Sequence, residues 1–216
     1  MGTNFKVLLV TLALAMACPV VYAQKSDKEL KKELKAKADK DSRKTAKTLE
    51  KEGWKVMPGK LPLEKQIQES RYAEIDETET GERRFFIGTH QAVGGNYSAA
   101  KQIADSRAHA ELAQSIYSVI AKKIEDQVAS TDYGNRDLET IDEFVSASKT
   151  IISAQLSGIT PVLEIYREAP KKQFEVMVSV KIDAEKALKM VKKGLYNELK
   201  AKSEKLAADL DAILPY

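Results

Sequence analysis

The strongest periodic pattern lies in the middle of the chain, where apolar residues recur every three or four positions from Ser98 to about Ala129. Residues at this spacing share one face of a helix, so the pattern predicts a long amphipathic helix. Alanines are frequent on that face, and we expect them to let the helix lie close to a sheet. The apolar positions are Ile103, Ala104, Ala108, Leu112, Ala113, Ile116, Tyr117, Ile120, Ile124 and Val128.

A two-residue period marks the strands. Apolar and polar residues alternate strictly from Phe174 to Ile182, and the segment from Ile159 to Glu168 is extended and apolar. The proline and lysines between them turn the chain. This arrangement predicts an antiparallel hairpin with one buried face. A further strand is predicted from Arg84 to Val93, where Gly94 and Gly95 end it.

Charged helices are predicted at both ends of the chain. Lys25 to Glu52 contains no glycine or proline and has only a thin apolar stripe, so we expect a helix that buries little. Asp183 is expected to cap a final helix whose stripe could fold back on the domain, pair with the amino-terminal helix, or form a coiled coil with another subunit. That stripe consists of Leu188, Val191, Leu195, Leu199, Leu206, Leu210 and Ile213.

Shorter elements complete the prediction. Trp54 follows the amino-terminal helix and is expected to anchor the core, with ligand stacking as a less favoured alternative. Pro62 suits the first turn of a helix that runs to about Ile75. A further helix is indicated by Leu138, Ile141, Phe144 and Val145.

The predicted fold class is α+β, with a small antiparallel sheet of about three strands covered by the alanine-rich helix and long charged helices at both ends. The predicted division is a signal peptide (1–23), a lysine-rich helical arm (24–53), an α+β domain (54–183) and a carboxy-terminal amphipathic helix (184–216).

The first residues have the layout of a secretory signal peptide, because Lys6 precedes an apolar run and Ala23 ends a segment suited to cleavage. We therefore predict an exported protein, periplasmic or associated with the outer membrane or cell surface, with no transmembrane segment in the mature chain. Cys18 raises the alternative of a lipid anchor, although Pro19 follows it directly. Cleavage after Ala23 would leave a mature chain without cysteine, which excludes disulfides.

The charge balance does not indicate a nucleic-acid partner, and none is predicted. Lys and Arg number 35 against 32 Asp and Glu, a net charge of +3, which is too balanced to predict nucleic-acid binding. The lysines between Lys25 and Lys51 favour, as one alternative, peripheral contact with an anionic membrane or envelope surface.

No motif predicts catalytic, metal-binding or cofactor-binding residues. The paired Gly94 and Gly95 lack the following lysine and hydroxyl of a Walker loop, so they are interpreted as a turn with Asn96 or Ser98 as helix cap. The acidic cluster Asp76, Glu77, Glu79 and Glu82 lacks the order of a calcium loop and is expected to be a solvated turn. His90 and His109 are expected to have surface or capping roles.

Two segments resemble a known family. "FFIGTHQAVGGNYSAAKQIADSRAHAELAQSI" and "LSGITPVLEIYREAPKKQFEVMVSVKID" are similar to the lipoprotein-20 family of bacterial envelope proteins and to the related amino-terminal domain of flagellar protein T. The resemblance covers about residues 84–182. It implies an envelope-associated, non-enzymatic protein and assigns no catalytic residue.

The leading hypothesis is therefore an exported, non-enzymatic binding or scaffold module that meets an envelope protein, or a second copy of itself, through its terminal helices. One alternative is a hydrolase with a site such as Ser146, Lys149 and His109, since Ser146 and Lys149 have the S-x-x-K spacing of penicillin-binding enzymes. Another is a binder of anionic surfaces through the basic arm.

Overall fold

The computed structural model of the protein describes residues 27–130, 145–152, 156–202 and 210. The predicted signal peptide, the helix start at Leu138, and Leu206 and Ile213 lie outside the described residues. The described helices are α1 (Asp27–Lys51), α2 (Leu63–Ile75), α3 (Tyr97–Ser130), α4 (residues 145–152) and α5 (Ala184–Lys202). The strands are β1 (Phe85–Gly94), β2 (Thr160–Ala169) and β3 (Gln173–Asp183).

The three strands form one antiparallel sheet in the order β1-β3-β2, so the last strand in sequence is the central one. A short 3-10 turn, Pro170–Lys172, joins β2 to β3. Gly88 pairs with Val180 in one ladder, and Ile165 pairs with Met177 in the other. The predicted α+β class and three-stranded sheet are confirmed.

The main core lies between the sheet and α3. Ala104, Ala108 and Leu112 of α3 are fully buried in one cluster with Val176 and Val178 of β3. Successive strand residues point to opposite faces, so the alternation predicted for β3 places its valines against the helix.

Two predicted helix caps are present. The Asn96 side-chain oxygen accepts a hydrogen bond from the Ala99 amide at 2.9 Å, at the start of α3. The Asp183 carboxylate accepts a hydrogen bond from the Lys186 amide at 2.8 Å, at the start of α5. The stripe of α5 packs into the main core through Leu188, Val191 and Leu195, so this helix folds back on the domain.

The second face of the sheet is covered over β2 and β3, so the prediction of a single buried face is wrong. Trp54, only 3% exposed, packs with Leu163, Ile165 and partly buried Met177 in a second core cluster. Lys55 exchanges backbone hydrogen bonds with Tyr166, at 2.7 and 2.9 Å. The segment after α1 therefore pairs with the outer edge of β2 and holds Trp54 in place.

Helix α1 changes character along its length. From Ala38 onward it packs on α2, with Ser42 and Ala46 also buried. The Tyr72 hydroxyl donates a 2.5 Å hydrogen bond to the Asp39 carboxylate, and Gln68 also donates to it. The second half of the predicted arm is thus fixed to the folded domain.

Candidate functional site

The first part of α1, residues 28–37, is called the arm below. Every one of these ten residues is exposed, whereas Ala38 is buried. Leu30 and Leu34 keep 48% and 42% of their surface accessible. They are four positions apart, so they lie on the same side of the helix. The arm therefore presents an apolar stripe to the solvent.

Positive charge surrounds this stripe. The Lys35 ammonium lies 5.8 Å from the centre of the Tyr72 ring, where the arm meets α2. A helix with leucines on one side and lysines around them can dock on another helix or on an anionic surface. The charged residues of the arm are Lys28, Glu29, Lys31, Lys32, Glu33, Lys35 and Lys37.

Among the described residues, the most buried carboxylate belongs to Glu164 on the outer strand β2, with 7% of the residue exposed. The Tyr97 hydroxyl donates to one of its oxygens at 2.7 Å, and the Lys101 ammonium donates to the other at 2.9 Å. Lys60 lies 3.6 Å from the second oxygen, and Lys101 also contacts Asp105 at 2.9 Å. We call these five side chains the Glu164 cluster.

Two backbone groups beside this cluster form hydrogen bonds with the Gln66 side chain. The Glu164 amide points outward from the sheet edge and donates to the Gln66 side-chain oxygen at 2.8 Å. The Gln66 side-chain nitrogen donates to the Leu61 carbonyl at 2.7 Å. Gln66 therefore joins α2 and the preceding loop to the open edge of β2, where an unpaired amide would otherwise be buried at a cost.

The hydrogen bonds decide the charge states. Burial raises the pKa of Glu164, but the hydrogen bonds from Tyr97 and Lys101, together with the positive charges of Lys101 and Lys60, lower it more, so it ends below the usual value. Burial and the bond to Glu164 raise the pKa of Tyr97 well above its usual range. Burial lowers the pKa of Lys101, and the bonds to Glu164 and Asp105 more than reverse that effect. All three pKa values move away from neutrality, so the groups keep fixed protonation states near pH 7 and stabilise the fold.

The histidines are bonded to neighbours near the surface. The ring nitrogen Nδ1 of His90 lies 2.7 Å from the Glu111 carboxylate, and Nδ1 of His109 lies 2.7 Å from the Asp105 carbonyl of its own helix. Ser146 and Lys149 are both exposed on α4. Within the part of the chain that the structure describes, Ser146 and His109 make no hydrogen bond to each other.

Two residues of the predicted acidic cluster after α2 are paired with separate cations. Asp76 lies 3.7 Å from Arg84, and Glu82 lies 3.4 Å from Lys123. Across residues 27–130, 145–152, 156–202 and 210, no group of three or more histidine, cysteine or acidic side chains is placed to hold a metal ion.

Gly94 has a packing role. A side-chain carbon added to it would lie 2.5 Å from the Ala100 amide nitrogen, which is closer than atoms can approach. The glycine thus lets the end of β1 touch the start of α3.

The sequence alone did not predict the Glu164 cluster. Its only local signal is the four-residue spacing of Tyr97 and Lys101, which places both on one side of α3. Glu164 itself stands in an apolar strand segment, and the sequence does not tell whether such a single charged residue is buried or exposed.

Comparison of the chain with protein families, curated proteins and solved structures found no match. The resemblance to the lipoprotein-20 family stays a prediction. No helix in the described ranges combines the length and apolar character needed to cross a membrane.

Proposed function

We propose that the protein is an exported bacterial envelope protein that acts as a non-enzymatic binding or scaffold module through protein–protein contacts. The observation that supports this most directly is the arm, where Leu30 and Leu34 are exposed on a helix whose second half is anchored. A partner helix or groove would cover these leucines.

The anchoring makes the arm suitable for docking. A short lysine-rich helix is marginal in water by itself, because helix nucleation is costly. Here the contacts of Ala38, Asp39 and Ser42 extend one continuous helix from the folded domain into the arm. Binding then requires little further ordering of the chain, which favours affinity.

The proposed contact uses two apolar anchors at neighbouring helical positions, the pattern by which amphipathic helices enter hydrophobic grooves. Lysines beside the leucines favour a partner surface with acidic residues at its rim. That partner is either another envelope protein or a second copy of this chain.

The test is site-specific photo-crosslinking in the cell envelope, with the photoreactive residue at Lys31 beside the leucines. We expect a protein adduct of discrete mass that is lost in the double variant Leu30→Ser, Leu34→Ser. Leu61→Ser is the matched control, because Leu61 is 51% exposed and lies outside the arm. The proposal fails if no protein adduct forms, or if the double variant crosslinks as well as the control.

A second candidate function is binding to an anionic surface, and the five lysines against two glutamates in the arm favour it. Exposed lysines near a negatively charged bilayer each add attraction that salt screens. Sedimentation with phosphatidylglycerol vesicles should then show salt-sensitive binding that is lost when Lys31, Lys32 and Lys35 become glutamine. The control changes the equally exposed Lys55, Lys122 and Lys193, which gives the same net charge. Equal binding by both triple variants would exclude this function for the arm.

A further inference from the structure

A cleft of about 710 Å³ opens between the loop after α2, the start of β1, one side of α3 and the start of α5. We call it the Arg83 cleft. Its volume falls in the range of about 300 to 1,000 Å³ that is typical of small-molecule sites. Residues that line it include Thr78, Glu82, Arg83, Phe86, Val119 and Leu188.

The inner wall of the cleft is apolar. Phe86 and Leu188 are buried members of the main core, and Val119 packs against that core. These side chains are held by the sheet, α3 and α5, so the wall is formed without a ligand. An apolar body of a ligand would lose water contact against it.

Most charges around the cleft have partners. Arg84 pairs with Asp76 at 3.7 Å, and Glu185 pairs with Lys189 at 2.5 Å. Asp183 caps α5 through the Lys186 amide at 2.8 Å. Glu82 lies 3.4 Å from Lys123, so each carboxylate in the described lining of the cleft is engaged within the protein.

Arg83 differs from these residues. Its backbone pairs with Glu77, but its exposed guanidinium has no hydrogen-bond or ion-pair partner among the described residues. A guanidinium offers two parallel donors that match the two oxygens of a carboxylate. Within the described part of its lining, the cleft thus combines an apolar wall with the Arg83 guanidinium, a cation that is available at the rim.

We propose that the Arg83 cleft binds a small amphipathic carboxylate, with the carboxylate on Arg83 and the apolar body against Phe86, Val119 and Leu188. The site is separate from the arm, so it is a second binding function beyond the proposed protein–protein contact. A neutral amphiphile would leave the Arg83 guanidinium unpaired, and a cationic one would be repelled by it. Both should therefore bind more weakly than the carboxylate.

The experiment is a calorimetric titration of the mature chain with decanoate below its micelle concentration, together with backbone NMR. Saturable binding is expected, with shifts at Arg83, Phe86 and Leu188. Arg83→Gln should weaken binding about tenfold, as expected for loss of a charge-assisted hydrogen bond. Arg83→Lys should retain part of the affinity, and decanol should bind at least about tenfold more weakly than decanoate.

The matched control is Arg71→Gln, which removes an exposed arginine on α2 that does not line the cleft. Because the Arg83 side chain contacts no hydrogen-bond or ion-pair partner among the described residues, its substitution should leave the thermal unfolding temperature unchanged. The proposal is overturned if decanoate does not bind, if Arg83→Gln binds it as tightly as the natural chain, if decanol binds equally well, or if the shifts map to the lysines of the arm.

Discussion

Glu164 shows what a single buried charge requires. A carboxylate removed from water is costly unless hydrogen bonds and an opposite charge replace the lost solvent. Glu164 receives them from Tyr97 and Lys101, both on the first turns of α3. One side chain of β2 therefore holds the start of the helix at a fixed position on the sheet.

This arrangement predicts that Glu164→Gln is destabilising by about 2 kcal/mol at pH 7, the size expected for hydrogen bonds to a charged group. The amide has one acceptor oxygen where the carboxylate has two, so it does not accept from both partners in the same geometry. Lys101 then keeps only the Asp105 carboxylate as an ion-pair partner. Urea unfolding measures the change. Glu168→Gln is the matched control, because Glu168 is an exposed residue of the same strand, and we expect a change within about 0.5 kcal/mol.

The loss of stability in Glu164→Gln should depend on pH in a definite direction. The pKa of Glu164 in the folded protein lies below the ordinary value of about 4.3. Ionised Glu164 therefore stabilises the fold above that pH, and its contribution is lost as the pH falls through the lower folded-state pKa. The gap in unfolding free energy between the natural chain and Glu164→Gln should narrow as the pH is lowered from 5 toward 3. A gap that stays constant would contradict the role assigned to the charge.

Contacts between residues distant in the chain are the part of this structure that the sequence predicted least. The sequence predicted Asp183 as one cap and either Asn96 or Ser98 as the other, because a capping side chain acts on amides two or three residues away. It did not find the Glu164 cluster, since Lys60, Tyr97 and Glu164 meet only after the sheet and helices have packed. Local spacing contains no information about such contacts.

Helix α3 lies directly against β1 at Gly88. A side-chain carbon on Gly88 would lie 2.0 Å from the Ala108 carbonyl oxygen and 2.6 Å from the Leu112 amide nitrogen. The helix backbone itself occupies the space above this glycine. The alanines of α3 and the glycine of β1 together allow this approach.

Gly88→Ala should therefore destabilise the protein by about 2 kcal/mol or more, since overpacking a well-filled core forces the backbone to move. Gly95→Ala is the control: an added carbon there has nothing within 4 Å. Its unfolding free energy should stay within about 0.5 kcal/mol of the natural value. Chemical unfolding of both variants measures the effect, and equal stabilities would show that α3 can shift away from β1.

Helices and strands were predicted correctly where a single hydrophobic period dominated the segment. Alternation identified β3, and the three-to-four spacing identified α3. The second sheet face was missed because its central residue on β3 is Ser179, which is polar but fully buried and accepts a 2.7 Å hydrogen bond from the Thr89 hydroxyl. The packing of α1 was underestimated for a similar reason, since Ala38, Ser42 and Ala46 give a weak apolar signal yet allow close contact with α2.

For the whole molecule, the two proposed binding surfaces belong to different layers. The arm is the first part of α1. The rest of α1 packs with α2 and Trp54 on the face of the sheet that carries the Met177 side chain. The wall of the Arg83 cleft belongs to the core on the opposite face, since Val176 and Met177 are successive strand residues. Both surfaces can thus be occupied by different ligands.

The position of the amino terminus decides how the arm is presented. Gln24, the predicted first residue of the mature chain, precedes α1 by a few residues. Cleavage after Ala23 would place the arm at a free chain end, available to a partner in the envelope. A lipid on Cys18 would instead hold the same arm near a bilayer, which would favour the anionic-surface alternative.

Cleavage at Ala23 is tested by mass spectrometry of the protein recovered from the envelope of an expressing bacterium. The expected amino terminus is Gln24, because small residues precede signal-peptidase sites. Ala23→Arg should block processing and leave the precursor, whereas Cys18→Ser should be processed as the natural chain is. A diacylglyceryl group on Cys18, together with failure of Cys18→Ser to mature, would replace the free arm by a lipid-tethered one. The two substitutions remove sites that different processing enzymes recognise. Comparing the two variants therefore distinguishes a partner-binding arm at a free terminus from a helix held against the membrane.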